Sequence, residues 1–196
     1  MDAKICYSFL SELKRAGLEL SGPGICLRLI KFEDLPTTLA WRNREDIRHN
    51  FINSDIISWE GHSKWWEGYR VKNNDFIFLI LETERLSRSV GQVSLYNINL
   101  DHSEAEYGRL MIGDNEARGK GLARRATELL IAWAFNSLGI ERIYLEVFKN
   151  NTIALNLYRQ FGFITTGDRG RLYRMSISRE TRPSSFEGIK QEDSIR

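Results

Sequence analysis

Residues 118–123 read Arg-Gly-Lys-Gly-Leu-Ala, with two glycines one residue apart among basic side chains, directly before an apolar pattern of helical spacing. Such a stretch is suited to holding phosphate. At a helix start the first-turn N–H groups lack intrahelical partners, and the aligned peptide dipoles add partial positive charge. Glycine permits positive φ and close approach, so several N–H groups can converge on one anion. Position excludes two familiar phosphate loops. A Walker loop needs glycine where Asp114 stands and a hydroxyl where Gly121 stands, and a dinucleotide fingerprint needs glycine at Arg124. A second chemical signal is Glu146, a carboxylate inside the apolar run "IYLEVF". There it is unfavourable unless it faces a polar cleft; an edge-exposed or salt-bridged glutamate is the other reading.

The elements that must position these residues are set by periodicity. Residues 5–16 suit a short amphipathic helix, and "SGPG" (21–24) separates it from the domain proper. "ICLRLI" alternates as a first strand, residues 33–50 turn helical, and Ser58 is a good N-cap for a helix carrying Trp59, His62, Trp65, Trp66 and Tyr69. Strands are expected at 75–82, 89–98 and 105–113, a helix from Leu122 to the Leu138–Gly139 stop, and a strand at 142–148. A short helix over 151–163 and a strand at 171–178 complete the order. That order implies an α/β (α+β) domain with a mixed, mostly antiparallel sheet flanked by helices. The expected division is a leader at 1–24, the domain at 25–179 and a mobile tail at 180–196.

Composition narrows the partners. The 196 residues suffice for one core, and 42% hydrophobic with 28% charged residues is an ordinary globular balance. A net charge of +2 and no second basic stripe argue against nucleic acid, despite the basic cluster at 118–125. No apolar run has membrane-spanning length, and the first residues lack the pattern of a signal peptide. Cys6 and Cys26 offer at most one bridge and no metal cluster, so a reduced cytoplasmic protein without a metal is expected.

The stretch 118–123 matches Arg/Gln-x-x-Gly-x-Gly/Ala and so resembles the pyrophosphate loop of the GCN5-related N-acetyltransferases (GNAT). Downstream, Asn151, Ala154, Leu157, Tyr158, Gly162 and Phe163 resemble that family's closing motif, in the same order and at the usual distance. The resemblance covers residues 105–168 strongly and residues 25–104 only in element order. It implies a sheet with a V-shaped opening for acetyl-CoA, a co-substrate gripped by Arg118, Gly119, Lys120, Gly121, Leu122 and Ala123. The backbone of Leu110, Met111 and Ile112 would pair with the pantetheine arm, and Asn151 would contact it or cap its helix.

In such a reaction an amine attacks a thioester. At pH 7 a primary amine is mostly ammonium, so a base, direct or through water, must take its proton and an acid must assist the departing thiolate. By resemblance Tyr158 is the acid, the alternative being a tyrosine packed on the helix's inner face. Glu146 occupies the strand position of the catalytic glutamate of ribosomal-protein alanine acetyltransferases; Glu106 and His62 are the other candidates.

The first two helices usually shape the acceptor site in this fold, which assigns Trp41, Arg42, Asn43, His62 and Trp66 to the acceptor. His62, Trp65, Trp66 and Tyr69 fall on one helix face, which either lines the cleft or packs against the sheet. Trp41, Arg42, Asn43 and His62, with the element order, resemble the nucleotide-amino-sugar acetyltransferases of the pseudaminic acid pathway, which as a group lack a glutamate at the Glu146 position; the same pattern resembles the RimJ/RimL type and relatives acting on antibiotics and polyamines. The expected acceptor is a small-molecule amine, such as a nucleotide-linked amino sugar; a protein N-terminal amine and a non-catalytic CoA-binding regulator are the alternatives. Monomer and homodimer are both compatible.

Overall fold

The computed structural model describes residues 3–183, with side chains described from residue 8. Helix α1 (Ala3–Ala16) leads into strands β1 (Glu19–Gly22) and β2 (Ile25–Leu29), helices α2 (Leu35–Asn43), α3 (Glu45–Arg48) and α4 (Trp59–Arg70), and strands β3 (Phe76–Glu82), β4 (Arg88–Asn99) and β5 (Glu104–Ile112). Then come α5 (Leu122–Asn136), β6 (Arg142–Phe148), α6 (Thr152–Gln160), β7 (Ile164–Arg169) and β8 (Leu172–Ser178). All eight strands form one sheet in the order β1-β2-β3-β4-β5-β6-β8-β7.

Every pairing is antiparallel except that of β5 with β6, which runs parallel only over Glu104↔Arg142, Ala105↔Ile143 and Glu106↔Tyr144. Past those pairs the two strands part. Residues 107–112 therefore have β4 along one edge and no strand along the other. Helix α5 packs on the sheet, and its residues from Leu129 to Phe135 are all buried, with Trp133 set against Phe76 and Phe78 at 5.6 and 5.7 Å. A helix apolar all round is one covered all round.

Four expectations about elements need correction. The leader is not separate from the domain: β1 pairs with β2 through a Gly22–Pro23–Gly24 turn, and Leu10, Leu13, Leu18 and Leu20 join the main core. The stretch read as a break is a hairpin turn, with Gly24 at φ +66°. The helix expected over 33–50 divides at Arg44, whose ψ of 138° is extended. Strand β7 was hidden because it is an edge strand with mostly exposed side chains, so it carries no alternation. The start of the expected tail is held, since Arg182 donates to the Asn136 side chain at 2.9 Å. Residues 184–196 and the Cys6 side chain lie outside what is described.

Candidate active site

A cavity of about 520 Å³ fills the gap between β5 and β6. Its walls include the strand edge Gly108–Ile112, the end of β6 (Glu146–Phe148), the first turns of α6, and residues of the segment 46–53, which begins within α3.

At one end of the cavity lies the glycine turn. Gly119 and Gly121 both sit at φ +73°, the left-handed region that glycine adopts without strain. Gly121 is the N-cap of α5, and no side chain caps the helix there, leaving its first-turn N–H groups available for an anion. Arg118 and Ala123 line the cavity. Gly119 and Lys120 are exposed on the turn, while Leu122 is 1% exposed and points into the core. The backbone amides are thus the fitting feature for a diphosphate. Along the cleft, Leu110, Met111 and Ile112 line the cavity.

That strand carries a bulge: Ser94 pairs with Gly108 and Gln92 with Met111, so two residues face one. Arg109 holds the bulge at φ +52°, an unusual conformation for any residue other than glycine. Its guanidinium pairs with the buried Asp75 at 2.7 and 3.2 Å and lies 4.0 Å over the Tyr96 ring. Arg109, Asp75 and Tyr96 were not anticipated; an arginine inside the apolar run "AEYGRLMIG" was the signal available.

Across the gap stand Glu146, Asn151 and Tyr158, all lining the cavity. Tyr158 is buried between Tyr107 and Phe163, with ring centroids 5.9 and 5.8 Å away, and its hydroxyl has no hydrogen-bond partner among the described residues. Burial pushes its pKa well above the ordinary tyrosine value. Asn151 does cap α6, accepting from the Ala154 N–H at 3.1 Å, and also donates to Asn50 Oδ1 at 3.0 Å across the cleft. Glu146 is ion-paired with Arg169 at 3.0 Å while remaining in the cavity wall, so both readings of it hold together.

The other base candidates lie elsewhere. Glu106 accepts from the Tyr96 hydroxyl and the Asn97 amide, both at 2.8 Å, and does not line the cavity. His62 is 8% exposed and stacks on Trp65 at 5.0 Å, outside the cavity. Burial lowers its pKa, and its Nε2 has no partner.

Of the acceptor residues expected, the structure brings only Arg42 to the cavity. Trp41 packs on the Gly113 backbone so closely that a Cβ there would collide with the indole. Asn43 ties the following loop, donating to the Ile57 carbonyl at 2.8 Å and accepting from its N–H at 2.9 Å. Trp66 packs with Tyr69, Ile30, Leu35 and Ile77, so the aromatic face of α4 covers the sheet rather than the cleft. Beside Arg42 the cavity wall is instead made by Asp46, Asn50, Phe51 and Asn53. Arg42 stacks 4.0 Å over Phe51 and donates to the Asn53 carbonyl. Asp46 joins this segment to the glycine turn: Arg118 lies at 2.5 Å and Arg44 at 2.9 Å, and the two hold its carboxyl below the usual carboxylate range.

A parted strand pair, an uncapped helix start with two left-handed glycines and a buried tyrosine across the gap are the arrangement of a GNAT-type domain. An acetyltransferase (GNAT) domain model matches residues 25–164, and the chain belongs to that family. It is 29% identical over 143 residues to the uncharacterised protein MJ1062 of Methanocaldococcus jannaschii, a match covering 72% of this chain and 28% of that protein. It is 27% identical over 131 residues to acetyltransferase PseH of Campylobacter jejuni, covering 67% and 77%. The crystal structure of spermidine N-acetyltransferase from Vibrio cholerae with CoA and spermine superposes with a TM-score of 0.72 at 25% identity, covering 81% of this chain and 97% of that one. Several curated relatives are longer than the match: the chain spans 28%, 66% and 41% of three of them. Among the described residues no helix is long and apolar enough to cross a membrane, and no group of three His, Cys, Asp or Glu could hold a metal.

Proposed function

We propose that the protein moves the acetyl group of acetyl-CoA to the primary amine of a small molecule, by direct attack of the amine on the thioester. The observation that carries this reading is the unpaired strand edge after Glu106, with the glycine turn at its end and Glu146 and Tyr158 facing it. The thioester supplies the acyl group. The first-turn amides of α5, with Arg118, grip the diphosphate, and the main chain of Leu110–Ile112 aligns the arm like an added strand. Glu146 takes the proton from the acceptor ammonium, directly or through water. It is the one candidate base of the three in the cavity wall. Tyr158, kept protonated by burial, gives its proton to the departing sulfur.

Charge bears on the acceptor. The carboxylates of the cavity, Asp46 and Glu146, are each engaged by arginine, whereas Arg42 has no carboxylate partner among the described residues. Such a wall repels a polyamine and suits an amine attached to an anionic group, which supports a nucleotide-linked amino sugar. A protein N-terminal amine is the second reading, favoured by Ile52 and Ile153, 68% and 85% exposed at the rim. Thiol release from acetyl-CoA, measured with a nucleotide-linked amino sugar, spermidine and an N-terminal peptide, separates these. The amino sugar is expected to give the highest kcat/KM. Turnover confined to spermidine or to the peptide overturns the acceptor, and no turnover with any amine overturns the transfer.

A further inference from the structure

A second cavity, of about 550 Å³, lies on the far side of the segment that closes the first. The two share Phe51, Ile52 and Phe148 in their walls. Among the described residues no aspartate or glutamate lines the second cavity, whereas His49, Lys149 and Arg171 do. Lys149 is matched by Asp168 at 2.7 Å. Arg171 has no carboxylate partner among the described residues; it stands in the turn between β7 and β8, its guanidinium 5.9 Å from the Phe148 ring. Behind the same segment Arg42 and Arg48 also lack a carboxylate, Arg48 donating only to the Ser54 carbonyl at 2.9 Å. One short loop is therefore flanked by three unneutralised guanidiniums and two phenylalanine rings, next to a cavity with room for a ring and its phosphates.

We propose that this second cavity is a subsite for a phosphate ester bearing a planar ring: Arg171 and His49 bind the phosphate, and Phe148 with Phe51 packs against the ring. An acceptor so held would reach past Ile52 with its amine at Glu146. This subsite rests on the acceptor's being a small molecule, as proposed for the transfer itself, and it adds where that molecule's anionic end is bound. A guanidinium contact to phosphate is charge-assisted and bidentate, which makes Arg171 the principal anchor.

Calorimetric titrations with uridine diphosphate, inorganic pyrophosphate and uridine test this in protein saturated with CoA, where the glycine turn is already filled. Uridine diphosphate is expected to bind more tightly than either of the others. Arg171→Ala, an exposed turn position, should weaken it by about tenfold, with Arg171→Lys recovering part. Phe148→Ala should weaken uridine diphosphate but not pyrophosphate, and Arg171→Ala, which lies outside the first cavity, should leave CoA affinity unaltered. Absence of diphosphate binding, or binding indifferent to Arg171, overturns the subsite. A protein that fails to bind CoA would sink the acetyl-transfer reading instead; Arg171-dependent diphosphate binding, read separately, still decides this one.

Discussion

Tyr158 owes its proposed role to what surrounds it. Buried between two rings and without a hydrogen-bond partner among the described residues, it keeps its proton far above neutral pH, as a group meant to donate one must. Tyr158→Phe preserves that packing and removes the hydroxyl alone. Its expected effect is a loss of about 10²-fold in kcat with CoA affinity unchanged, read from thiol release and from calorimetry. Glu146→Gln should lower kcat by a similar factor, about 10², if the carboxylate is the base. Full activity in either variant removes that residue from the mechanism. Both residues were legible because a tyrosine at fixed spacing and a charge within an apolar strand are local signals. His62 and Trp66 misled for a physical reason: one aromatic helix face reads the same whether it lines a cleft or covers a sheet. Arg109 escaped because left-handed backbone in a residue other than glycine leaves no mark in composition, and its support, Asp75, is 34 residues away.

The glycine turn and the strand bulge are elements that do nothing alone and work because they frame one gap. The turn was legible, since glycine spacing before a helical pattern is nearly a description of the geometry. The parting of β5 from β6 was not: alternation sets which side chains face the core, and where two strands cease to pair is decided by tertiary packing. Gly121 lets the two features be tested apart. A Cβ there meets nothing within 4 Å, so its replacement suffers from φ +73° alone and not from collision. Gly121→Val should lower stability by about 1–2 kcal/mol, the cost of left-handed backbone in an ordinary residue. It should also reduce CoA affinity by about tenfold or more as the turn distorts, since each 1.4 kcal/mol is tenfold. Calorimetry with CoA and a urea unfolding curve read the two effects separately. Unaltered CoA affinity would show that the amides of the turn do not hold the diphosphate.

Across the whole molecule, the leader and the cleft belong to one structure, which periodicity alone could not reveal. The Lys14 ammonium, 3.7 Å over the Tyr69 ring, donates to the carbonyls of Tyr69, Lys72 and Asp75 at 2.9, 2.7 and 2.9 Å. Asp75 in turn fixes Arg109 at the bulge, so α1 and the cavity wall share a support. Buried tyrosines in both apolar clusters also set the response to alkali. Tyr69, Tyr107 and Tyr158 are 3%, 1% and 7% exposed, and burial raises all three above the ordinary value of 10.0. Below pH 10 both states hold these protons and the stability is fully present; above it the unfolded chain releases them first. The folded state then binds more protons, and stability falls as pH rises, by about 1.4 kcal/mol per pH unit for each tyrosine. Lys14, lowered to about 8 chiefly by burial, acts in the opposite sense between that pH and the ordinary value of 10.5, so the decline belongs to the window above it. Tyr96 and Tyr144 are raised as well, chiefly by burial, so urea midpoints followed by circular dichroism from pH 8 to 12 should drop steeply at the top of the range, and Tyr158→Phe should lessen that drop. A slope indifferent to that substitution would mean that burial does not raise the Tyr158 pKa.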